Sequence, residues 1–325
     1  MSYSPIEQKK IDNLTIDFTN KLNFKQVKDG KLLTITEKEA NRSRASDAAK
    51  AYVESVDADG FLKSPELTNP KTGSTHIKIG DLIDVGGQGC VFDLEIVDFD
   101  SINPGLFYQS ILQHKLREVA CANLDDIREE YSDIAAKIIK RELEGSRGRE
   151  LVLAKLKPVL SHKLQNRRGV FRINRGGDDV YSAKKARRIR ALDGLIHDNL
   201  VYSAVSCKNI EGRDFSIMEY VKNIVSPYSV CKNLTQEEHI KIIMKAALGL
   251  RMIADIGAVH RDIKPDNVFV IRGDSKHVEP EVKIADFGLL DLTERRNMQS
   301  DSITAPDVRP GTPRFASPEH YDFGC

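Results

Sequence analysis

The sequence predicts an α+β fold, and three stretches predict it. Residues 77–93 alternate between apolar and polar, break at Gly86-Gly87-Gln88-Gly89 and resume, the pattern of two strands joined by a glycine turn. Residues 215–221, Phe215-Ser216-Ile217-Met218-Glu219-Tyr220-Val221, read as a buried strand. From Thr235 to Gly257 the positions Ile240, Ile243, Met244, Ala247, Leu250 and Ile253 recur at helical spacing, behind a Thr235/Glu238 capping pair and ahead of a terminating glycine. The helix delivers the chain to two polar loops that carry the chemistry.

Composition bounds the function. The chain has 325 residues, 40% hydrophobic and 30% charged, enough for a normal core in two domains or one two-lobed unit. Five scattered cysteines (Cys90, Cys121, Cys207, Cys231, Cys325) without a Cys-x-x-Cys pair indicate neither a zinc site nor a disulfide framework and fit a reducing, cytoplasmic compartment. Residues 1–10 lack an apolar signal core, and no run has the length of a membrane span. Net charge is only +1, yet residues 137–190 hold 17 Lys or Arg against five Asp or Glu. That asymmetry suggests an acidic or phosphate-bearing partner for this region, while nucleic acid is not indicated.

The first polar loop is His260-Arg261-Asp262-Ile263-Lys264-Pro265-Asp266-Asn267, opening into the apolar strand Val268-Phe269-Val270. The second, Asp286-Phe287-Gly288, follows the strand Val282-Lys283-Ile284. Oxygen ligands at Asn267 and Asp286 suit Mg²⁺, a hard cation bound through few protein oxygens plus substrate phosphates. Asp262 is then left to receive a proton and Lys264 to neutralise phosphate charge. These are the parts that phosphoryl transfer requires. Their order and spacing resemble the catalytic and metal-binding loops of the protein kinase family. The run Gly311-Thr312-Pro313-Arg314-Phe315-Ala316-Ser317-Pro318-Glu319 resembles the end of a protein kinase activation segment, and Lys264 and Thr312 look like the serine/threonine branch.

The resemblance implies a two-lobed protein-kinase-like fold: an antiparallel sheet in the N-lobe and a mostly helical C-lobe, incomplete at the C-terminus. Its expected parts are an N-terminal extension and linker over residues 1–75, an N-lobe over 76–221 with insertions near 95–131 and 141–180, and a partial C-lobe over 222–325. Within the extension, residues 13–24 allow a strand or a short helix and residues 37–56 favour a helix, while Asp57-Ala58-Asp59-Gly60 reads as a turn rather than a calcium loop. Gly86, Gly87, Gly89 and Val91 match the nucleotide-binding glycine loop, with Asp84 where its first glycine belongs. Lys137, in Ile134-Ala135-Ala136-Lys137-Ile138-Ile139, is the expected nucleotide lysine on the third strand, with Ala135 beside it. A helix over 181–195 would place Arg188 where the family has the glutamate that pairs with this lysine, and Leu192 at a spine position; the competing partner is Glu150. Met218 would be the gatekeeper, Glu219 and Val221 the adenine-facing hinge, and Phe269 a further nucleotide contact.

Function follows from the same resemblance. The implied activity is an ATP- and Mg²⁺-dependent protein kinase acting on Ser or Thr hydroxyls of a protein substrate, with Asp262, Lys264 and Lys137 catalytic and Asn267 and Asp286 holding the metal. Ser300, Ser302, Thr304 and Thr312 are candidate hydroxyls of the activation segment, and Arg261 is placed to pair with a phosphate there. The alternatives are a nucleotide-binding pseudokinase or scaffold module, and a fragment of a longer kinase. Since the family fold continues past the position of Glu319, Ile253, Val268 and Phe269 are expected to lack part of their packing unless a partner, or residues 1–75 folding back, covers them.

Overall fold

The structure is a computed structural model. It describes residues 3–28, 32–65, 67–69, 71–85, 89–98, 168–174, 192–193, 195, 197–208, 211, 213–225, 234–271, 279–292 and 311–315. The chain divides into two compact units, Met1–Gly177 with Ala204–Tyr220, and Asp178–Ser203 with Val221–Cys325.

The first unit opens with two helices, α1 (Pro5–Lys28) and α2 (Ile35–Ser55). A capping box starts α2: the Thr34 hydroxyl accepts from the Glu37 amide while the Glu37 carboxylate accepts from the Thr34 amide. Ala45, Ala48, Ala49 and Ala51 are buried at helical spacing, and such small side chains let another element approach closely. From α1, Ile11, Phe18 and Leu22 are buried, spaced seven and four residues apart on one helical face. Residues 13–24 are therefore helical throughout. After α2, Asp57 Oδ1 accepts from the amides of Asp59 and Phe61 and closes the turn read from the sequence.

Five strands follow: β1 (Ile77–Val85), β2 (Gly89–Ile96), β3 (Arg168–Asn174), β4 (Ser203–Lys208) and β5 (Asp214–Glu219), in the sheet order β1-β2-β3-β5-β4. One face buries Phe92, Phe171 and Phe215. The rings of Phe18 and Tyr52 lie 6.0 and 5.6 Å from that of Phe92, and Phe92, Phe171 and Phe215 continue the contact across β2, β3 and β5. The helical hairpin and the sheet thus share one core. Its polar edges are tied as well: Lys21 and Lys25 of α1 pair with Asp81 and Asp84 of β1, and Arg213 Nε meets the buried Glu54 at 2.6 Å. Glu54 also accepts from Tyr3, whose phenol is pushed up to about 12 by burial and by that carboxylate.

One expectation changes here. The strand between β2 and β5 is Arg168–Asn174, not residues 134–139. It falls inside a stretch expected to be an insertion, so neighbouring strands β2 and β3 are separated in sequence by residues 97–167. Residues 3–75, expected as an extension and linker, contribute Phe18 and Tyr52 to this core.

The second unit is organised on α3 (Gln236–Asp255), begun by the predicted Thr235/Glu238 capping box. Around it lie β6 (Ile224–Val225), β7 (Ala258–Val259), β8 (Val268–Ile271), β9 (Glu281–Ile284) and β10 (Asp291–Leu292), joined as a three-stranded β6-β8-β9 sheet and a β7/β10 pair. The turn at 197–200 clips onto β9 through Val201 N to Ile284 O, Ile284 N to Asn199 O, and Asn199 Nδ2 to Val282 O. Gly249 makes this packing possible, since a Cβ there would sit 2.5 Å from the Asn199 carbonyl oxygen. Ile253, expected to lack part of its packing unless another segment covered it, is only 1% exposed, and Val268 and Phe269 are half-buried. The large apolar side chains that α3 leaves exposed are Ile240, Ile243, Met244 and Leu248.

Candidate active site

The polar residues of the second unit converge because two strand pairs stitch their loops together. Pairing of Val259 with Asp291 and of Val268 with Ile284 holds both ends of residues 260–267 against residues 285–290. Three contacts close the gap: His260 Nε2 donates to the Ala285 carbonyl at 3.0 Å, Ala285 N donates to the Asn267 carbonyl at 2.9 Å, and Arg261 Nε donates to the Leu289 carbonyl at 2.8 Å. Arg261 and Asp286 hold left-handed backbone conformations (φ 65° and 58°), which non-glycine residues adopt at a cost of about 1–3 kcal/mol and which cluster at functional sites.

Asp262 is the hub. It is 6% exposed, and both carboxylate oxygens are engaged. Oδ2 accepts from Lys264 Nζ at 2.8 Å and from Asn267 Nδ2 at 3.2 Å, while Oδ1 accepts from the Thr312 hydroxyl at 2.7 Å. Lys264 Nζ also donates to Thr312 Oγ1 at 3.1 Å. Burial acts to raise the Asp262 pKa, but the hydrogen bonds from Lys264, Thr312 and Asn267 and the lysine charge outweigh it and hold the carboxyl below the ordinary carboxylate range. Asp262 is a carboxylate at neutral pH, with an O–H donor already seated on Oδ1.

Burial pushes His260 below the ordinary histidine value, against the opposing bond to Ala285. Its Nε2 donates and its Nδ1 accepts from the Asp262 amide at 3.3 Å, the pattern of a neutral imidazole. The folded state therefore binds fewer protons here than the unfolded chain, and stability falls as pH drops through the histidine range near 6.5. Asp262 acts in the same direction at lower pH, because its stabilisation is present above the ordinary carboxylate pKa and is lost as pH falls through its folded pKa. The urea midpoint should be lower at pH 5.5 than at 7.5, and His260→Gln should flatten the difference. Equal wild-type midpoints would contradict the buried neutral imidazole.

Asn267 and Asp286 fit a hard cation. Asn267 Nδ2 is turned to the Asp262 carbonyl at 2.8 Å, which leaves the amide oxygen as the atom a cation would take. Asp286 Oδ1 accepts from the Gly288 amide, which fixes its carboxylate on the turn. Among the described residues no three His, Cys, Asp or Glu side chains are grouped to hold a metal, and a Mg²⁺ completed by phosphate oxygens needs no such cage.

In the first unit, Val91 of β2 and Met218 of β5 share the sheet face opposite Phe92 and Phe171. The register pairs Val91 with Arg172, and Val170 with both Asp93 and Met218. Gly89 begins β2. Glu219 is buried, Phe269 pairs with Lys283 in β8 and β9, and Val221 lies in the second unit. Gly86, Gly87, Ala135, Lys137, Glu150 and Arg188, the helix expected at 181–195 apart from Leu192, Asp193 and Leu195, and most of the basic 137–190 stretch lie outside the described residues.

Thr312 was read from the sequence only as a branch marker and an activation-segment hydroxyl, yet it touches both Asp262 and Lys264. The missed signal is the glycine before it. Gly311 has φ 114°, and a Cβ there would stand 2.8 Å from the Arg261 carbonyl oxygen, so only glycine lets Thr312 reach Asp262. Gly311→Ala should remove this contact and lower turnover about tenfold or more without moving the melting temperature by more than a few degrees. Unchanged turnover would show that the contact is dispensable.

Comparison with known proteins gives one pattern. The family model described as "Protein kinase domain" matches residues 173–322. The chain is similar to a probable serine/threonine-protein kinase PknB of Lactococcus lactis subsp. lactis (28% identity, 46% of this chain and 22% of the relative). It is also similar to the interferon-induced, double-stranded RNA-activated protein kinase of Rattus norvegicus (29%, covering 43% and 29%), and to the serine/threonine-protein kinase greatwall of Mus musculus (34%, covering 34% and 12%). The chain thus spans less than a third of the length of these relatives.

Proposed function

We propose, since the chain belongs to the protein kinase family, that it transfers the γ-phosphoryl group of ATP to serine or threonine hydroxyls of a protein substrate. The observation that carries this reading is the arrangement at Asp262: an ionised, nearly buried carboxylate with a hydroxyl on one oxygen and an ammonium and a carboxamide on the other.

The Thr312 hydroxyl marks how an O–H donor sits against Asp262. An acceptor hydroxyl placed likewise gives its proton to Asp262 as its oxygen bonds to the γ-phosphorus. The bond from that phosphorus to the β-phosphate oxygen breaks, and ADP leaves. Lys264 offsets charge on the phosphoryl oxygens. Asn267 and Asp286 would hold Mg²⁺, which when bound would neutralise charge on the substrate phosphates. His260 keeps the Asp262 amide and the Ala285 carbonyl in register, so that both loops keep their spacing. On the nucleotide side, Gly86, Gly87 and Gly89 would let backbone amides approach phosphate. Val91, Met218, Glu219, Val221 and Phe269 would contact the base and ribose. The basic 137–190 stretch would dock an acidic or phosphate-bearing partner. Among the described residues no helix is long and apolar enough to cross a membrane.

The test is label transfer from γ-labelled ATP to a generic basic protein, with and without Mg²⁺, followed by phosphoamino-acid analysis. Mg²⁺-dependent label on serine or threonine is expected, and label on tyrosine alone would reject the assignment. A second reading, a nucleotide-binding module without transfer, is favoured by a third strand, Arg168–Asn174, that contains no lysine. Nucleotide binding with no label transferred would select it.

A further inference from the structure

We propose that the outer side of α1 is the seam through which two copies of this chain associate, with the two helices antiparallel about a two-fold axis beside Ile16. The helix is apolar on two opposite sides. On the inner side Ile11, Phe18 and Leu22 are buried in the core shared with the sheet. The flanks are tied as well: Lys21 and Lys25 reach Asp81 and Asp84 of β1, while Asn23 and Gln26 accept from Asn41 Nδ2 of α2 at 2.9 and 3.0 Å. These contacts fix the rotation of α1 and turn a third side away from both sheet and α2. Ile6, Ile16, Phe24 and Val27 lie there, between 57% and 83% exposed. At about 100° per residue the four fall within roughly 80° of arc, opposite the buried side. Apolar surface exposed in this way marks an interaction site.

The order of residues along the stripe points to a second copy as its cover. Ile6, Asn13, Asn20 and Val27 recur every seven residues, the spacing of a helix–helix seam. Taken from either end the series is the same in kind: apolar, Asn, Asn, apolar. A two-fold contact requires a self-complementary surface of this sort. With the second α1 antiparallel, Ile6 faces Val27 of the second copy, Asn13 faces its Asn20, and Ile16 meets its own counterpart at the axis. Lys9 then falls opposite Phe24, which brings an ammonium to a ring. Asn13 and Asn20 are exposed in the single chain. Facing carboxamides can each donate and accept, and asparagine within an apolar seam fixes its register. A lipid surface would leave both asparagines unsatisfied in the middle of the stripe. Asp17 opposes association, since two copies bring like charges near the axis; it is exposed, so salt screens the repulsion. The contact lies outside residues 173–322 that match the kinase domain model, and it does not rest on the proposed catalysis.

The experiment is sedimentation of the full chain over a wide range of concentration, for wild type, Ile16→Glu, Asn13→Lys, Asn13→Lys combined with Asn20→Asp, and Ile243→Glu on the exposed face of α3. Wild type should form a dimer that added salt does not weaken. Ile16→Glu should raise its dissociation constant about 100-fold or more, because two buried isoleucines become two adjacent charges. Asn13→Lys should weaken association, and adding Asn20→Asp should restore it, because residue 13 of one copy faces residue 20 of the other. Ile243→Glu should change nothing. If Ile16→Glu fails to fold, judged by its circular dichroism melt, the Asn13 and Asn20 variants carry the comparison. A wild-type chain that stays monomeric, whatever else covers the stripe, would overturn the proposal. So would a dimer indifferent to Ile16→Glu, a dimer disrupted by Ile243→Glu instead, or a double variant no tighter than Asn13→Lys.

Discussion

Deletion of residues 1–75 is expected to leave the five-stranded sheet without a folded state. In the intact chain Phe18 and Tyr52 cover Phe92, which is fully buried and continuous with Phe171 and Phe215. Returning side chains of this size to water costs about 1.5–3 kcal/mol each. Three of them approach the stability of a whole domain, about 5–15 kcal/mol. The ion pairs at Asp81 and Asp84 add little, because both partners are largely exposed. The pair of Arg213 with the buried Glu54 is lost as well, but most of the loss is apolar and should not be rescued by low salt. The milder variant Phe18→Ala should cost about 3–5 kcal/mol, read as a lowered urea midpoint with an unchanged slope. A truncated chain that melts cooperatively at the wild-type temperature would show that the hairpin is an ornament on the sheet.

What the sequence revealed and what it hid follow from distance along the chain. Asp262, Lys264 and Asn267 lie within one loop, so their spacing in sequence is nearly their spacing in space, and the structure brings them together. The capping box at Thr235 was equally local. Thr312 is 50 residues from Asp262 and reaches it through the backbone freedom of Gly311, which periodicity does not report. The third strand was hidden for a related reason. Strand pairing across residues 97–167 depends on which alternating run best completes the aromatic face, and Phe171 and Ile173 of Arg168–Asn174 do so. The run around Lys137 matched a motif by its lysine. Likewise α1 is rich in Asn, Thr and Ile, which left residues 13–24 ambiguous between strand and helix until the burial of Ile11, Phe18 and Leu22 decided for a helix.

The largest expected kinetic effect is at Asp262. Asparagine there keeps the size of the side chain and an acceptor oxygen, but it has no charge to pair with Lys264 and cannot take up a proton. Loss of a general base costs on the order of 10² to 10⁴ in rate. Nucleotide affinity should hold, because the carboxylate faces a hydroxyl, an ammonium and a carboxamide and the proposed nucleotide contacts lie elsewhere in the chain. The deciding measurement is single-turnover phosphate transfer from Mg-ATP to a protein acceptor by wild type and Asp262→Asn, with ATP affinity determined on the same preparations. A fall of two or more orders of magnitude in the transfer rate at near-constant affinity is predicted; transfer by Asp262→Asn at the wild-type rate would contradict it.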